Sequence, residues 1–191
     1  RVTAGEHSYC SGVCCSYSQK QVILTKEHEA DAECTVFHND IRAMGKDFER
    51  YYQRAAELPG VRFVRGYPAI AGERPDTHNV VLRYATPGDG VKEEEFDLVV
   101  LSVGLSPSSE HRGLAGTFGL ELNPHGFART SHENPLRTTR PGIFVSGGLQ
   151  GPIDIPESVF GASGTGAQIG ELLGYRRGRL AGKRVYPPET D

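Results

Sequence analysis

Long hydrophobic runs are missing from this 191-residue chain. None approaches the ~18 consecutive apolar residues that a transmembrane helix needs, so the sequence offers no helical membrane span. An excess of positive charge is missing as well. The 21 Lys and Arg against 24 Asp and Glu leave a net charge of −3, without the basic footprint of a nucleic-acid partner. Nothing resembles a secretory signal, so a cytoplasmic protein with reduced cysteines is expected. Methionine is nearly absent: Met44 stands alone, inside a stretch that reads as continuous structure, and the chain opens on Arg1. That combination suggests an excised piece of a longer polypeptide.

Two motif classes are also lacking. Gly161, Gly164 and Gly166 have the wrong spacing for a dinucleotide fingerprint and fall in a late helical stretch, so nicotinamide binding is not expected here. His38, His111, His125 and Ser102 carry no nucleophile signature and read as surface or core polar residues.

Cysteines are few, but three of the four fall within six positions, in Tyr9-Cys10-Ser11-Gly12-Val13-Cys14-Cys15. The stretch opens an amphipathic run, and the partial positive charge of a helix N-terminus favours thiolates. Three readings stand. Cys10, Cys14 and Cys15 could be small apolar packers, three ligands of a zinc site completed by His7, or ligands of an iron–sulfur cluster. Adjacent Cys14 and Cys15 point in different directions from a helix start, which suits a cluster with several iron corners better than one tetrahedral ion.

Along the chain, Val13, Tyr17, Gln21, Leu24 and His28 have helical spacing from Ser11 to about Glu29, with Val22 and Ile23 adding apolar surface and Lys20 and Lys26 turned outward. Glu33 to His38 reads as a short buried strand, with Cys34 in the core, and Gly45 to Leu58 as a helix with an apolar stripe ended by Pro59-Gly60. Strands follow at Val61 to Val64 and Tyr67 to Ala71, then a hairpin of Val80 to Ala85 and Val91 to Phe96 whose Glu93-Glu94-Glu95 run reads as one solvated face. Asp97 to Gly104 is continuously aliphatic, as in a central parallel strand buried on both faces. Ser108 to Phe118 reads as a helix, Asn123 to Gly126 as a loop, and Gly142 to Gly148 as a buried strand running into a glycine turn. A last helix spans roughly Glu157 to Leu173, where Gly161, Gly164, Gly166 and Gly170 would let the backbone approach something flat.

Taken together, Tyr9 to Cys15, Asp40-Ile41-Arg42, Leu98 to Pro107, Thr139 to Val145 and Gly151-Pro-Ile-Asp-Ile-Pro-Glu-Ser158 resemble the heterodisulfide reductase family, in its FAD- and iron–sulfur-containing subunit. That family is built on a flavoprotein core similar to thioredoxin reductase. The cysteine stretch and the Gly151 to Ser158 stretch are the specific pieces, since strand-plus-glycine pieces are shared by many flavoproteins. The resemblance implies an α/β, dinucleotide-binding, Rossmann-like three-layer fold in two incomplete subdomains. Residues 1–107 would be the latter part of a pyridine-nucleotide-type domain, 108–173 the returning half of the FAD-binding domain, and 174–191 a tail. It further implies that Cys10, Cys14 and Cys15 help hold a 4Fe–4S cluster, with another cysteine ligand upstream of Arg1. Similar flavoproteins place a Gly-Asp pair and a helix N-terminus against FAD. Here the pair is Gly147-Gly148, leaving backbone N–H groups, with Ile155, Glu157 and Ser158 at the helix start, as the expected cofactor contacts.

The expected function is electron transfer between FAD and iron–sulfur clusters in a multi-subunit complex. A non-catalytic docking module that kept the fold is the alternative from another class. By itself the piece is expected to show no turnover and little tightly bound FAD, and to self-associate through an exposed sheet edge.

Overall fold

The computed structural model of the chain describes residues 7–177, which divide into two compact units, one ending at Leu105 and one beginning at Ser106. The first unit runs α1 (Cys14–His28), β1 (Cys34–His38), α2 (Phe48–Ala56), β2 (Val61–Arg65), β3 (Tyr67–Glu73), β4 (Val80–Thr86) and β5 (Gly90–Phe96). The second holds α3 (Glu110–Phe118) and α4 (Ile155–Arg177). The result is a mixed α/β chain.

Helix α1 buries Gln19, Val22 and Ile23. These lie three and four positions apart, on one face. The stripe expected from the sequence is a neighbouring flank, where Leu24 is exposed. The side that turns inward carries Val22 and Ile23, the pair expected to add apolar surface beside that stripe. Lys26 is not simply turned outward: its Nζ donates to the carbonyls of Ala30 and, at 2.7 Å, Ala32. A cation there satisfies carbonyls just past the helix end.

Strand β1 pairs with β2 in parallel, from Cys34 opposite Val61 to His38 opposite Arg65, with α2 in the crossover. Ala55 is fully buried and Tyr52 meets Phe63 edge to face at 5.1 Å. Cys34 is the first residue of its strand and half-buried, not a core residue in mid-strand. Helix α2 starts three residues later than Gly45 because Gly45 (φ 111°) and Asp47 (φ 67°) hold the backbone out of the right-handed helical region.

Strands β3, β4 and β5 form an antiparallel meander, and the expected hairpin is present between β4 and β5. Leu82 and Tyr84 are buried, and Phe37 of β1 packs edge to face on Tyr84 at 4.7 Å. The acidic run is not one face. Successive residues of a strand alternate sides: Glu93 pairs with Arg83 and Glu95 with Arg74, while Glu94 takes Arg62 and the Tyr84 hydroxyl.

Asp97 to Gly104 forms no strand, and Leu98 and Leu101 are 78% exposed. A strand buried on both faces needs neighbours on both edges and layers above and below. Among the described residues the parallel sheet contains β1 and β2 alone, and no ladder reaches this run.

In the second unit Ala115, Phe127, Ala128 and Val145 are buried. The strand expected over Gly142 to Gly148 reduces to a single bridge between Phe144 and Arg137, followed by a short 3-10 turn at Gly147–Leu149. Helix α4 reaches Arg177, so the first residues of the expected tail are helical, and 178–191 lie outside the described residues.

Candidate functional site

The cysteine stretch is placed by what it touches. Ser11 is nearly buried, and its hydroxyl oxygen accepts the Leu105 N–H at 3.0 Å. Tyr9 donates its hydroxyl to the Leu105 carbonyl at 2.9 Å, and Tyr17 donates to the Val103 carbonyl. Ser18 and Ser102 share a hydroxyl hydrogen bond of 2.7 Å. The unpaired aliphatic run is therefore fastened at its C-terminal end to the start of α1. Four hydroxyl side chains spread over Tyr9 to Ser18 do the fastening, and nothing but their residue type marks them in the sequence.

Cys14 and Cys15 form the first turn of α1, and Cys10 lies before it. No side chain caps this helix start, so its partial positive charge acts on the thiols. Cys15 Sγ accepts the Arg42 N–H at 3.5 Å, and as a thiol it reaches the Asp40 carbonyl at 3.9 Å. Arg42 and Asp40, which follow β1, pair at 3.9 Å. The hydrogen bond from Cys14 pulls the Cys15 thiol down to about 6, helped by the Arg42 N–H and guanidinium against partial burial and the Asp40 carboxylate. Cys14 moves the other way, because it gives that hydrogen bond, is half-buried, and feels negative charge on Cys15 and Cys10. The pair thus favours thiolate at Cys15 and thiol at Cys14.

Cys10 is close enough to act on Cys14 by its charge, yet among the described residues no three His, Cys, Asp or Glu side chains converge as a metal cage. His7 turns to the Tyr9 ring edge at 6.1 Å. The donor chemistry fits a soft metal: two adjacent cysteines, one favoured as thiolate. Cys14 and Cys15 fit as part of a ligand set and do not complete one among the described residues. Sequence reasoning left Asp40 and Arg42 without a role, although their motif was in view.

In the second unit, Gly147 has φ 73°, a left-handed value open to glycine, and a side chain on Gly148 would meet nothing within 4 Å. Asp154 accepts the Glu157 N–H at 2.7 Å, and Glu157 accepts the Asp154 N–H at 3.1 Å. This is a reciprocal capping box. Ser158 donates to the Asp154 carbonyl at 2.7 Å. Glu157 and Ser158 are thus engaged in the start of α4, whereas Ile155 is 80% exposed. Of the small residues in α4, Gly161 and Gly164 lie against the chain's own Leu136, while Gly166 and Gly170 have nothing within 4 Å. An open glycine turn and an exposed apolar helix start fit the close backbone approach that a flat cofactor needs.

The family model described as pyridine nucleotide-disulphide oxidoreductase matches residues 18–166. The iron-sulfur subunit of CoB–CoM heterodisulfide reductase from Methanocaldococcus jannaschii is 43% identical over 168 residues, covering 86% of this chain and 25% of the relative. A subunit of the H2:CoB-CoM heterodisulfide, ferredoxin reductase from Methanothermobacter marburgensis is 41% identical over 162 residues, 84% of this chain and 25% of the relative. The chain therefore spans about a quarter of the length of these curated relatives. A thioredoxin reductase structure from Gloeobacter violaceus aligns over 89% of this chain and 57% of its own, with 12% identity and a TM-score of 0.32.

Proposed function

The chain belongs to the pyridine nucleotide-disulphide oxidoreductase family and resembles the iron-sulfur subunit of heterodisulfide reductase; on that premise we propose that it is part of a flavin- and iron–sulfur-dependent electron-transfer oxidoreductase. The observation that carries this reading is the adjacent pair Cys14 and Cys15 in the first turn of a helix whose start no side chain caps, with the Arg42 N–H on the Cys15 sulfur. Cys10, Cys14 and Cys15 would ligate a 4Fe–4S cluster, with the rest of the ligand set contributed by residues outside the described ones. The backbone at Gly147 and Gly148 and the exposed side chain of Ile155 would meet FAD, and Glu157 and Ser158 would hold the helix start that presents them.

FAD exchanges one or two electrons and a cluster one, so together they interconvert pair and single-electron transfer. The residues of this chain fix position and charge. Ser11, Tyr9 and Tyr17 hold the cysteine stretch to the 102–105 backbone, and Arg42 opposes the negative charge of Cys15. The intact protein would work with other subunits, a reading supported by the relatives, which are themselves named as subunits of reductases. No helix among the described residues is long and apolar enough to cross a membrane.

The test is iron, sulfide, zinc and flavin analysis of full-length protein purified without oxygen. Iron with matching sulfide, lost when Cys14 and Cys15 are both replaced by Ser, and stoichiometric FAD are expected. One zinc and no iron would make the cysteines a structural site. Protein without metal or flavin would leave a docking module on a flavoprotein fold.

A further inference from the structure

The loop after β1 meets the cysteine stretch at one sulfur. Arg42 brings its backbone N–H to 3.5 Å from Cys15 Sγ, and no other cysteine of the stretch has a hydrogen bond from that loop among the described residues. Its side chain is mostly withdrawn from water, 32% exposed, while its partner Asp40, at 3.9 Å, is 67% exposed. The two opposite charges are therefore screened unequally. A cation held against protein acts on a nearby sulfur more than a carboxylate standing in water does.

Hydrogen bonds to cluster sulfurs and charges around them are among the levers by which a protein sets a reduction potential. Reduction adds one negative charge to a cluster. A fixed cation beside a ligating sulfur favours the reduced form and raises the potential, and a carboxylate does the reverse. From this geometry we propose that Arg42 and Asp40 are an opposed pair of positioning residues that set the reduction potential of the centre bound through Cys15, with Arg42 dominant. The inference rests on the proposed cluster and deepens that reading.

The experiment is a redox titration followed by electron paramagnetic resonance on the full-length protein, comparing wild type with Arg42→Gln, Arg42→Lys and Asp40→Asn. Iron and sulfide are assayed in each sample first. All three substitutions keep the backbone N–H, so the readout isolates charge. Arg42→Gln is expected to lower the midpoint potential, Asp40→Asn to raise it by a smaller amount, and Arg42→Lys to restore most of the wild-type value. Loss of structure cannot produce shifts of opposite sign. A loaded cluster whose potential is unmoved, or moves the same way in both charge-removing variants, overturns the proposal and leaves the cluster reading standing. Wild-type protein without iron and sulfide overturns the cluster reading itself, and this inference with it. Should Arg42→Gln fail to load, a rise in Asp40→Asn still supports the proposal and a fall or no change overturns it.

Discussion

Gly104 stands so close to Ser11 that a methyl group on it would lie 2.1 Å from the Ser11 hydroxyl oxygen. The Ser11 hydroxyl also takes the Leu105 N–H, so the two residues together set how near the cysteine stretch comes to the 102–105 backbone. Gly104→Ala must push the Ser11 hydroxyl aside and so weaken its hydrogen bond with Leu105, a loss of about 0.5–1.5 kcal/mol. Ser11→Ala leaves the half-buried Leu105 N–H without its acceptor, at about 1–3 kcal/mol. Urea denaturation measures both, and a thiol-reactive dye should label Cys14 and Cys15 faster in Gly104→Ala. Wild-type stability and labelling in that variant would show that the approach is not tight.

Cys15 should be the reactive thiol of metal-free protein. Its thiol is pulled from 9.0 to about 6, so thiolate forms as pH rises through about 6, well below the range of an ordinary cysteine. Alkylation by iodoacetamide tracks the thiolate fraction. Mass spectrometry of labelled peptides is expected to show the Cys15 rate climbing to half its plateau near pH 6. Cys14→Ala should move that midpoint up most, since the Cys14 hydrogen bond is the largest cause, and Arg42→Gln should move it up less. A Cys15 rate still rising steeply above about pH 8, where an ordinary thiol titrates, would count against the assignment.

Much of the first unit was legible because local pattern and long-range packing agree there. The β4–β5 hairpin follows from alternating strands around Pro87-Gly88, and α2 from its apolar stripe. Where they disagree, pattern alone misleads. Leu98 to Val103 has the composition of a buried central strand, but strand formation depends on neighbours, and composition says nothing of whether they are there. The Ile143 to Gly148 stretch fails for the same reason and keeps one bridge. The cysteine spacing marked a candidate site at once. The contact from Arg42 was hidden, because a backbone N–H reaching a sulfur 27 residues earlier in the sequence leaves no periodic trace.

His38 links stability to pH. Partial burial and the Arg65 charge lower its pKa below the ordinary 6.5, against the weaker pull of Asp40. As pH falls through 6.5 the unfolded chain takes up a proton that the folded chain resists. Folding stability contributed at this position therefore falls toward acid and is unaffected at about pH 8. Comparing urea midpoints of wild type and His38→Phe between about pH 5 and pH 8, the variant should show a shallower acid loss. Parallel curves would mean that His38 titrates alike in both states.

The capping box of α4 separates a structural from a cofactor role for Glu157. Asp154 and Glu157 exchange hydrogen bonds at 2.7 and 3.1 Å. Losing the cap acceptor typically costs about 1 kcal/mol. Asp154→Ala should therefore lower the urea midpoint more than Glu157→Gln, whose amide oxygen can still accept the Asp154 N–H. If Glu157 acts only through the helix start, full-length Glu157→Gln protein keeps its flavin, while Asp154→Ala loses flavin in proportion to its loss of stability. If Glu157 touches the cofactor, Glu157→Gln loses flavin at unchanged stability. The two outcomes differ in which quantity moves first, so a flavin titration beside a denaturation curve decides between them.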